Sequence, residues 1–281
     1  MKNVQHFLLT RFNVRVNYSV ERIGINPDWL FHRFKLFEQY CYPSVLAQTN
    51  SDFKWLVYFD ADTPQSFKEK ISNYAKWENF LPIYLDTEFS DQINQKIIAD
   101  LVSQETDYVI TTRMDNDDAI SKDFIAMIQA NIQENDYEFI SFENGYVLNG
   151  ERLYAFKYLN NPFMSLVERV NSSSNTQVQT ILCGEHSQIS KQAAIRSIRM
   201  SPVWLQVVHG RNVSNRTRGI RQPIHQLLDN RFVIDTTELP QQENLGLYWL
   251  DKTASLLKQP VELAIQLLPP YLKTSIKEIL T

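Results

Sequence analysis

Apolar positions in the first half of the chain follow two alternating patterns. Short apolar runs of strand length are separated by longer stretches in which apolar residues recur every three or four positions, the spacing of a helix. The runs predict strands over 6–10, 54–59, 81–85 and 108–112, and the longer stretches predict helices over 28–47, 64–74 and 93–103. Strands that alternate with helices form βαβ units, so this order predicts a largely parallel sheet flanked by helices.

The second half of the chain mixes regular elements with an irregular segment. A serine cap predicts a helix over 121–133. Segments 139–142 and 146–156 have the pattern of further strands, and Asn149-Gly150 favours a tight hairpin turn. Residues 211–223 lack apolar periodicity and therefore predict a mobile loop.

The C-terminal part of the chain returns to helical spacing at Leu245, with interruptions at Pro260 and at the proline pair 269–270. We therefore expect an α/β domain over 1–239, with a mixed, mostly parallel central sheet, and a C-terminal helical segment over 240–281. The broken apolar stripe of that segment predicts packing on the domain, on a partner subunit or on a membrane surface.

Composition and charge exclude two broad classes of protein. Of the 281 residues, 43% are hydrophobic and 21% are charged, which excludes a disordered chain. The formal net charge of −4 supplies no field that attracts nucleic-acid backbones, so we expect no nucleic-acid partner. The charge is unevenly distributed, because residues 196–231 contain seven arginines, no lysine and one acid, Asp229. This stretch predicts local binding of phosphate groups.

The expected location follows from cysteine usage and from the apolar runs. The two cysteines, Cys41 and Cys183, suit a reducing compartment better than a disulfide-stabilised secreted fold. No apolar run approaches the roughly 20 residues that span a bilayer, and the N-terminal apolar stretch meets an arginine before it reaches signal-peptide length. We expect a cytoplasmic protein, with the C-terminal segment as the candidate for contact with the inner face of the membrane.

A cluster of acids follows the fourth predicted strand. Asp115, Asp117 and Asp118 lie within the sequence TTRMDNDDA, directly behind the apolar run 108–112. Carboxylates this close repel one another unless a cation is present, and oxygen ligands without cysteine favour Mg²⁺ or Mn²⁺. Strand ends in open α/β sheets are also where ligands bind. The alternative is a solvated turn whose aspartates only cap the following helix.

Two blocks of sequence carry a resemblance to a known family. YVITTRMDNDDAISKDFI resembles the strand, DxD motif and following helix of GT-A glycosyltransferases, and more specifically the bacterial putative rhamnosyltransferase family. PSVLAQTNSDFKWLVYFDADT, at 43–63, is similar to the first conserved block of the large inverting GT-A family, and HFLLTRFNVR and VVHGRNVSN fit the rhamnosyltransferase pattern. The resemblance covers roughly residues 5–235.

The resemblance implies a GT-A catalytic domain and a metal-dependent, inverting transfer of a sugar. The donor would be a nucleotide-diphosphate sugar, by resemblance dTDP-rhamnose as the source of L-rhamnose. The acceptor would be a hydroxyl of a bacterial surface glycan or a lipid-linked glycan.

The resemblance also implies roles for individual residues of the donor site. Thr10 and Arg11 would meet the nucleotide, and Asp60 would contact the base or ribose. Asp115 would face the ribose or the donor sugar, and Asp117 would bind the metal.

His209 and several arginines complete the implied site. His209 follows the apolar run WLQVV and would be a further metal ligand, with a structural histidine as the alternative. Arg113 is suited to the same phosphates, or else to an ion pair with the neighbouring aspartates. Four arginines of the predicted loop would meet the diphosphate, or else form a basic surface: Arg211, Arg216, Arg218 and Arg221.

Transfer to a hydroxyl requires a base for the acceptor proton. The sequence CGEHSQIS at 183–190 follows an apolar run, and the resemblance favours Glu185 as the base, with His186 as its rival and a capping or surface role for Glu185 as the alternative. Among the aromatic residues, Trp204 is the candidate for contact with the acceptor, whereas Trp55 and Tyr58 are explained by packing in a strand.

Two other functions fit parts of the pattern. A sugar nucleotidyltransferase also combines a strand, an acidic pair and Mg²⁺, but it needs a glycine-rich phosphate loop, and the chain has only seven glycines. A non-catalytic carbohydrate- or Ca²⁺-binding module is the other alternative, although DNDDAIS lacks the glycine and distal glutamate of an EF-hand loop.

Overall fold

The computed structural model describes residues 3–16, 22–133, 135–170, 177–183, 195–210, 216–240 and 242–267, with side chains as far as residue 260. Within these residues the strands form two sheets, and the larger one has seven strands. Numbered in chain order, its members are β1 (Val4–Arg11), β2 (Lys54–Asp60), β3 (Phe80–Leu85), β4 (Tyr108–Arg113), β6 (Tyr137–Phe142), β9 (Ser165–Arg169) and β10 (Ile195–Ile198).

The larger sheet has the order β10-β6-β9-β4-β1-β2-β3. Strand β1 is parallel to β2 and β4, β2 is parallel to β3, and β6 is parallel to β10. Strand β9, which the sequence pattern did not predict, is antiparallel to both of its neighbours. The prediction of a mixed, mostly parallel α/β sheet is confirmed.

The smaller sheet has five strands among the described residues, in the order β12-β8-β7-β11-β5. They are β5 (Ala119–Ile120), β7 (Asn144–Asn149), β8 (Arg152–Lys157), β11 (Trp204–Val208) and β12 (Ile220–Gln222). The hairpin predicted at Asn149-Gly150 joins β7 to β8, with Gly150 at a φ of +55°. Gly145 lies against the ring of Trp204, where an added Cβ would come within 2.0 Å of it.

Helices cover both faces of the larger sheet. The helices of the described residues are α1 (Pro27–Leu36), α2 (Tyr42–Leu46), α3 (Gln65–Tyr74), α4 (Asp91–Leu101), α5 (Phe124–Ala130) and α6 (Leu245–Leu267). Of these, α6 packs against β12 of the smaller sheet. A π-helical turn, Phe37–Cys41, separates α1 from α2, so the single helix predicted over 28–47 is one helical stretch with a change of pitch.

Three local predictions were wrong. Ser121 does not cap a helix, because its hydroxyl donates to Asp123 at 2.6 Å, and α5 runs only from Phe124 to Ala130. Residues 220–222 of the predicted loop form β12, where pairing with β8 supplies the order that local sequence lacks. Pro260 does not interrupt α6, which continues to Leu267. The prolines at 269–270 lie outside the described residues.

The core lies on both faces of the larger sheet because side chains alternate along its strands. One cluster contains Leu8, Trp55 and Ile110, and it packs against α1 and α5. The other contains Phe7, Leu56 and Val109 and packs against α4. Helices on both faces leave the strand ends as the surface where polar groups of the sheet can meet a ligand.

Candidate active site

The carboxyl ends of three parallel strands meet at one edge of the larger sheet. The register pairs Leu9 of β1 with Arg113 of β4, and Arg11 of β1 with Tyr58 of β2. The residues that follow these strands therefore share one edge. Asp60 and the acidic turn after β4 come from this edge, which is the usual position of a ligand in an open α/β sheet.

The acidic turn is held against the end of β1. Asn116 is buried, and its side-chain amide donates to the carbonyl of Phe12 at 2.9 Å. Asp115 is 37% exposed and lies 3.4 Å from the guanidinium of Arg113. Asp117, by contrast, is buried. The turn thus presents one carboxylate to solvent and directs another into the protein.

Pairing of β5 with β11 brings His209 to Asp117. Strand β5 follows the acidic turn and is antiparallel to β11, with Leu205 opposite Ala119. Because the strands are antiparallel, continuing this register from Ala119 back to Asp117 reaches Val207, two residues before His209. His209 Nε2 consequently lies 2.9 Å from Asp117 Oδ2.

Helix α1 contributes a cation to this pair. Arg33 Nη1 lies 3.0 Å from Asp117 Oδ2 and 3.3 Å from His209 Nε2. The Arg33 guanidinium carbon is 5.4 Å from the centroid of the Trp29 ring, and the ring of His32 meets that of His209 edge-on at 5.3 Å. Residues 29, 32 and 33 follow helical spacing, so one face of α1 points at the site.

This face of α1 was missed by reasoning from the sequence. The sequence pattern predicted a helix over 28–47 but assigned no role to its polar positions. The sequence pattern that could have identified it is Trp29, His32 and Arg33 at helical spacing, because an aromatic, a histidine and an arginine on one helix face indicate a binding surface.

Asp118 is the most deeply buried acid of the turn. Its Oδ1 accepts the backbone N–H of Val207 at 2.9 Å, and its Oδ2 has no hydrogen-bond partner among the described residues. Burial raises the pKa of Asp118 well above its usual value, and the carboxylates of Asp117 and Asp115 raise it further. Its backbone contact ties the acidic turn to β11, so it has a positioning role.

Asp60 is held by two arginines. Arg15 donates to it at 3.0 Å and Arg22 at 2.8 Å, and both also contact the exposed carboxylate of Asp62. Burial alone would raise the pKa of Asp60, but the hydrogen bonds from Arg15 and Arg22 outweigh it and hold the pKa below its usual value. Asp60 is therefore ionised and presents two guanidinium groups at the strand edge. Sequence reasoning identified Asp60 but neither arginine.

Three further candidates take different positions. Thr10 is wholly buried and its hydroxyl accepts the indole N–H of Trp55 at 2.9 Å, so its side chain does not meet a nucleotide. Arg11 is partly exposed, with its guanidinium carbon 5.7 Å from the centroid of the Phe89 ring. Trp204 is wholly buried, stacks on Phe163 at 5.2 Å and cannot touch an acceptor.

The arginines predicted for the diphosphate separate into different groups. Arg221 is buried in an ion pair with Glu243, between the rings of Tyr154 and Tyr248 at 5.8 and 5.4 Å. Its assignment to the diphosphate was wrong, because β12 turns this side chain toward α6. Arg218 is partly exposed, and Arg216 is exposed.

Three candidates fall outside the described residues: Glu185, His186 and Arg211. Their roles as base and phosphate ligand stay predictions.

Asp117 and His209 have a spacing that suits a metal ion. Adjacent ligands of an octahedral ion at about 2.1 Å lie about 3 Å apart, close to the 2.9 Å between Asp117 Oδ2 and His209 Nε2. Within the described residues there is no group of three or more histidine, cysteine, aspartate or glutamate side chains around a common metal position. Mg²⁺ commonly takes few protein ligands and completes its shell with water and substrate phosphates. The pair therefore fits an ion that is shared with a phosphate ligand.

Comparison with known protein families identifies one that matches this sequence. The sequence model of the family described as putative rhamnosyl transferase matches residues 9–221, which is more than half of the chain. No curated protein sequence matches the chain.

The chain also resembles solved structures at low sequence identity. TarS 1–349 from S. aureus, in complex with UDP, has 14% identity and a TM-score of 0.42 over 74% of this chain and 61% of that chain. A putative nucleotide-diphospho-sugar transferase from Desulfovibrio desulfuricans has 8% identity and a TM-score of 0.36 over 74% of this chain and 82% of that chain. Mannosyltransferase PcManGT from Pyrobaculum calidifontis, in complex with GDP-Man and Mn²⁺, has 8% identity and a TM-score of 0.39 over 74% and 58%.

The present chain spans 61% of the TarS fragment.

The family match covers both blocks of sequence that carried the resemblance, together with the strand ends, the acidic turn and His209. The predicted mixed, mostly parallel α/β sheet is present, and the predicted family is confirmed. This chain belongs to the putative rhamnosyl transferase family.

Proposed function

We propose that the enzyme transfers a sugar, by resemblance L-rhamnose, from a nucleotide-diphosphate donor such as dTDP-rhamnose to a hydroxyl of a bacterial surface glycan or glycolipid. The transfer is metal-dependent and inverts the anomeric centre. The observation that carries the proposal is the meeting of Asp117 Oδ2 and His209 Nε2 at 2.9 Å, on the sheet edge that also bears Asp60.

The donor would lie along this edge, with its nucleotide toward β2 and its diphosphate toward the acidic turn. Asp60 would receive the base or ribose, with Arg15 and Arg22 beside it. The Asp115 carboxylate is exposed enough to accept hydrogen bonds from hydroxyls of the ribose or the sugar. Arg113 lies next to it and would contact the phosphates. Asp117 and His209 would hold Mg²⁺ or Mn²⁺.

Cleavage of the donor leaves negative charge on the diphosphate. A divalent ion offsets that charge when it is bound. The protein adds fixed guanidinium groups around the turn, and buried positions strengthen their effect because little water screens them. Glu185, with His186 as the rival, would take the acceptor proton. In-line attack requires no nucleophilic carboxylate beneath the sugar.

Nucleotide binding is the first test of the donor site. Purified protein is heated with a panel of nucleoside diphosphates, each with Mn²⁺ and with excess EDTA. A ligand of the native state raises its stability by RT ln(1 + [L]/Kd), so the true nucleotide should give the largest shift in Tm, and a larger shift with Mn²⁺ than in EDTA. Equal shifts in EDTA would contradict metal dependence. Hydrolysis of the matching sugar donor separates an enzyme from a binding module.

Product stereochemistry tests the inversion. NMR of the product from a β-L-rhamnosyl donor should show an α linkage, and a retained anomer would overturn the mechanism. Glu185→Gln should lower kcat by about 10²- to 10⁴-fold with donor affinity little changed, because a base acts on the acceptor. An unaffected rate in that variant would transfer the role to His186.

The proposed location is cytoplasmic, with contact of the C-terminal segment to a membrane or a partner subunit. No helix in the described part of the chain is long and apolar enough to cross a bilayer. One face of α6 contacts the smaller sheet through Tyr248 and Ser255. Another face exposes Leu250 and Leu257, which are 70% and 75% exposed. Flotation with anionic vesicles tests the membrane contact, and the oligomeric state in solution tests the partner subunit. A protein that does not float and is monomeric would contradict both contacts.

A further inference from the structure

The cation position on Asp117 is already taken by a side chain of α1. Arg33 Nη1 lies 3.0 Å from Asp117 Oδ2 and 3.3 Å from His209 Nε2, the two atoms that the proposed function assigns to the metal. A carboxylate only accepts, so at 2.9 Å from Asp117 Oδ2 the Nε2 of His209 donates to that oxygen, and Arg33 donates to the same oxygen. A metal ion would instead need the lone pairs of Asp117 Oδ2 and of an Nε2 without its proton. Arg33 therefore occupies the carboxylate oxygen that a metal ion would use.

The contact is a built feature of the fold. The side chain of Asp117 is 5% exposed and that of Arg33 is 18% exposed, so the pair is largely shielded from water. The Trp29 ring lies 5.4 Å from the guanidinium carbon on the same helix. Asn26 caps α1 by accepting the backbone N–H groups of Asp28 and Trp29, which fixes the first turn from which this face projects. Exposed arginines with free rotamers lack such support.

A guanidinium and a divalent ion on the same carboxylate oxygen repel each other. Low exposure makes the repulsion strong, since buried charges are poorly screened. The metal therefore binds Asp117 only when Arg33 moves to another anion. A nucleoside diphosphate supplies that anion, because its phosphate oxygens accept the paired N–H groups of arginine.

We propose that Arg33 is the resident counterion of the donor site, which holds Asp117 in place of the metal until a nucleoside diphosphate draws its guanidinium to the phosphates. Metal and nucleotide consequently bind as a cooperative pair, and each raises the affinity for the other by the same factor. The inference rests on the proposed function, because it assigns the metal to Asp117 and His209. It adds that the metal-free, nucleotide-free site is closed by an arginine.

The test measures Mn²⁺ binding by electron paramagnetic resonance, with and without saturating UDP or dTDP, together with nucleotide binding in EDTA by calorimetry. Wild-type protein should bind Mn²⁺ at least tenfold more tightly with the correct nucleotide than alone. Arg33→Gln should bind Mn²⁺ alone about tenfold more tightly than the wild type, and should bind the nucleotide in EDTA more weakly. A loss of packing alone would not shift the two affinities in opposite directions.

Lys35→Gln is the matched control, since it removes a cation from the same helix whose pair with Glu238 is exposed. Both affinities should stay at the wild-type values in this variant. Arg33→Lys keeps the charge and should keep Mn²⁺ binding weak in the absence of nucleotide. Unchanged or weaker Mn²⁺ binding in Arg33→Gln overturns the role of Arg33. If that variant does not fold, equal Mn²⁺ affinity of the wild type with and without nucleotide overturns it.

Failure of the donor site has a different signature. A wild-type protein that binds no nucleoside diphosphate in the presence of Mn²⁺ contradicts the proposed function itself. A wild-type protein that binds both ligands, together with an Arg33→Gln variant that shows no gain for Mn²⁺, contradicts only the counterion role.

Discussion

His209 Nε2 lies 2.9 Å from Asp117 Oδ2, although 92 residues separate them in the chain. The contact exists because β5 and β11 are antiparallel, and their register, continued from Ala119, places Asp117 beside Val207 at the end of β11 that leads into His209. The backbone N–H of Val207 also donates to Asp118, which fixes the turn against β11. The pair is thus a product of sheet pairing and not of local sequence.

Loss of Asp117 should remove the metal-dependent part of nucleotide binding. We expect Asp117→Ala to bind the nucleoside diphosphate with the same affinity in Mn²⁺ and in EDTA, because the ion loses its carboxylate ligand. His209→Ala should weaken the Mn²⁺ effect without abolishing it. Calorimetric titration in both buffers measures this.

Asp136→Asn is the control for Asp117→Ala, since this carboxylate is exposed and pairs only across the surface with Arg169. It should keep the full Mn²⁺ effect. If Asp117→Ala also keeps that effect, the metal is held elsewhere.

Asp60 should contribute to nucleotide affinity independently of the metal. Asp60→Asn keeps the size of the side chain but removes the charge that holds Arg15 and Arg22. Hydrogen bonds to charged groups contribute about 1.5–3 kcal/mol, so we expect affinity to fall roughly 10- to 100-fold in both Mn²⁺ and EDTA. Asp62→Asn is the control, because Asp62 contacts the same two arginines from an exposed position. This variant should change nucleotide affinity little. A loss confined to Mn²⁺ buffer would move Asp60 to the metal site.

The parts of the fold that could be predicted are those with a local signal. The apolar runs of β1, β2 and β4 identified the parallel strands, and the acids behind β4 identified the turn. The position of Asp60 at a strand end likewise placed it on the ligand edge. In each case the apolar run of a single strand locates the residue, and parallel pairing places the ends of neighbouring strands at the same edge of the sheet.

The parts that could not be predicted depend on contacts distant in sequence. Strand β9 is short and gains its place only from pairing with β4 and β6 on either side. Arg33 resembles any polar position on an amphipathic helix until β11 brings His209 to it. Arg221 lies in a segment with no apolar period, and only its pairing with β8 shows that it is buried.

Arg221 should matter for stability and not for the donor. Its guanidinium is paired with Glu243 and lies between two tyrosine rings, so Arg221→Gln leaves a shielded carboxylate without its partner. Breaking a buried ion pair typically costs about 3–5 kcal/mol of unfolding free energy. Urea unfolding should show a loss of this order, with nucleotide affinity of the folded protein unchanged.

Arg152→Gln is the control for Arg221→Gln, because its pair with Asp251 also joins the smaller sheet to α6 but is more exposed, with the two side chains 52% and 27% exposed. Its loss should be below about 1 kcal/mol. Normal stability with lost nucleotide binding in Arg221→Gln would restore Arg221 to the diphosphate site.

His6 should make the fold sensitive to acid. The ring is buried in β1, where Nε2 lies 2.7 Å from the Thr112 hydroxyl and Nδ1 lies 3.4 Å from the amide nitrogen of Gln129. An amide nitrogen only donates, so Nδ1 accepts and Nε2 carries the proton. A second proton would place a donor against a donor. Burial lowers the pKa of His6 to about 3.

The sign of the effect follows from the two states. Between an unfolded-state pKa of about 6.5 and the folded-state pKa of about 3, the unfolded chain binds a proton at His6 that the folded chain does not bind. Stability therefore falls as the pH is lowered through this window, by about 1.4 kcal/mol per pH unit. The contribution of His6 to this fall, from pH 6.5 to pH 4.5, is about 2 kcal/mol, because the unfolded histidine is already half protonated at pH 6.5. Carboxylates of the chain add their own pH dependence to the free energy of unfolding. The effect of His6 is therefore measured as a difference between the wild type and variants.

His6→Gln removes the titrating group and keeps a polar side chain between Thr112 and Gln129. We expect its free energy of unfolding, measured by urea titration at several pH values, to fall less than that of the wild type below pH 6.5, so that the two curves converge as the pH decreases. His225→Gln replaces an exposed histidine and should give a curve parallel to the wild type. Parallel curves for His6→Gln and the wild type would mean that the folded protein accepts the proton at His6, and that burial does not exclude the charged ring.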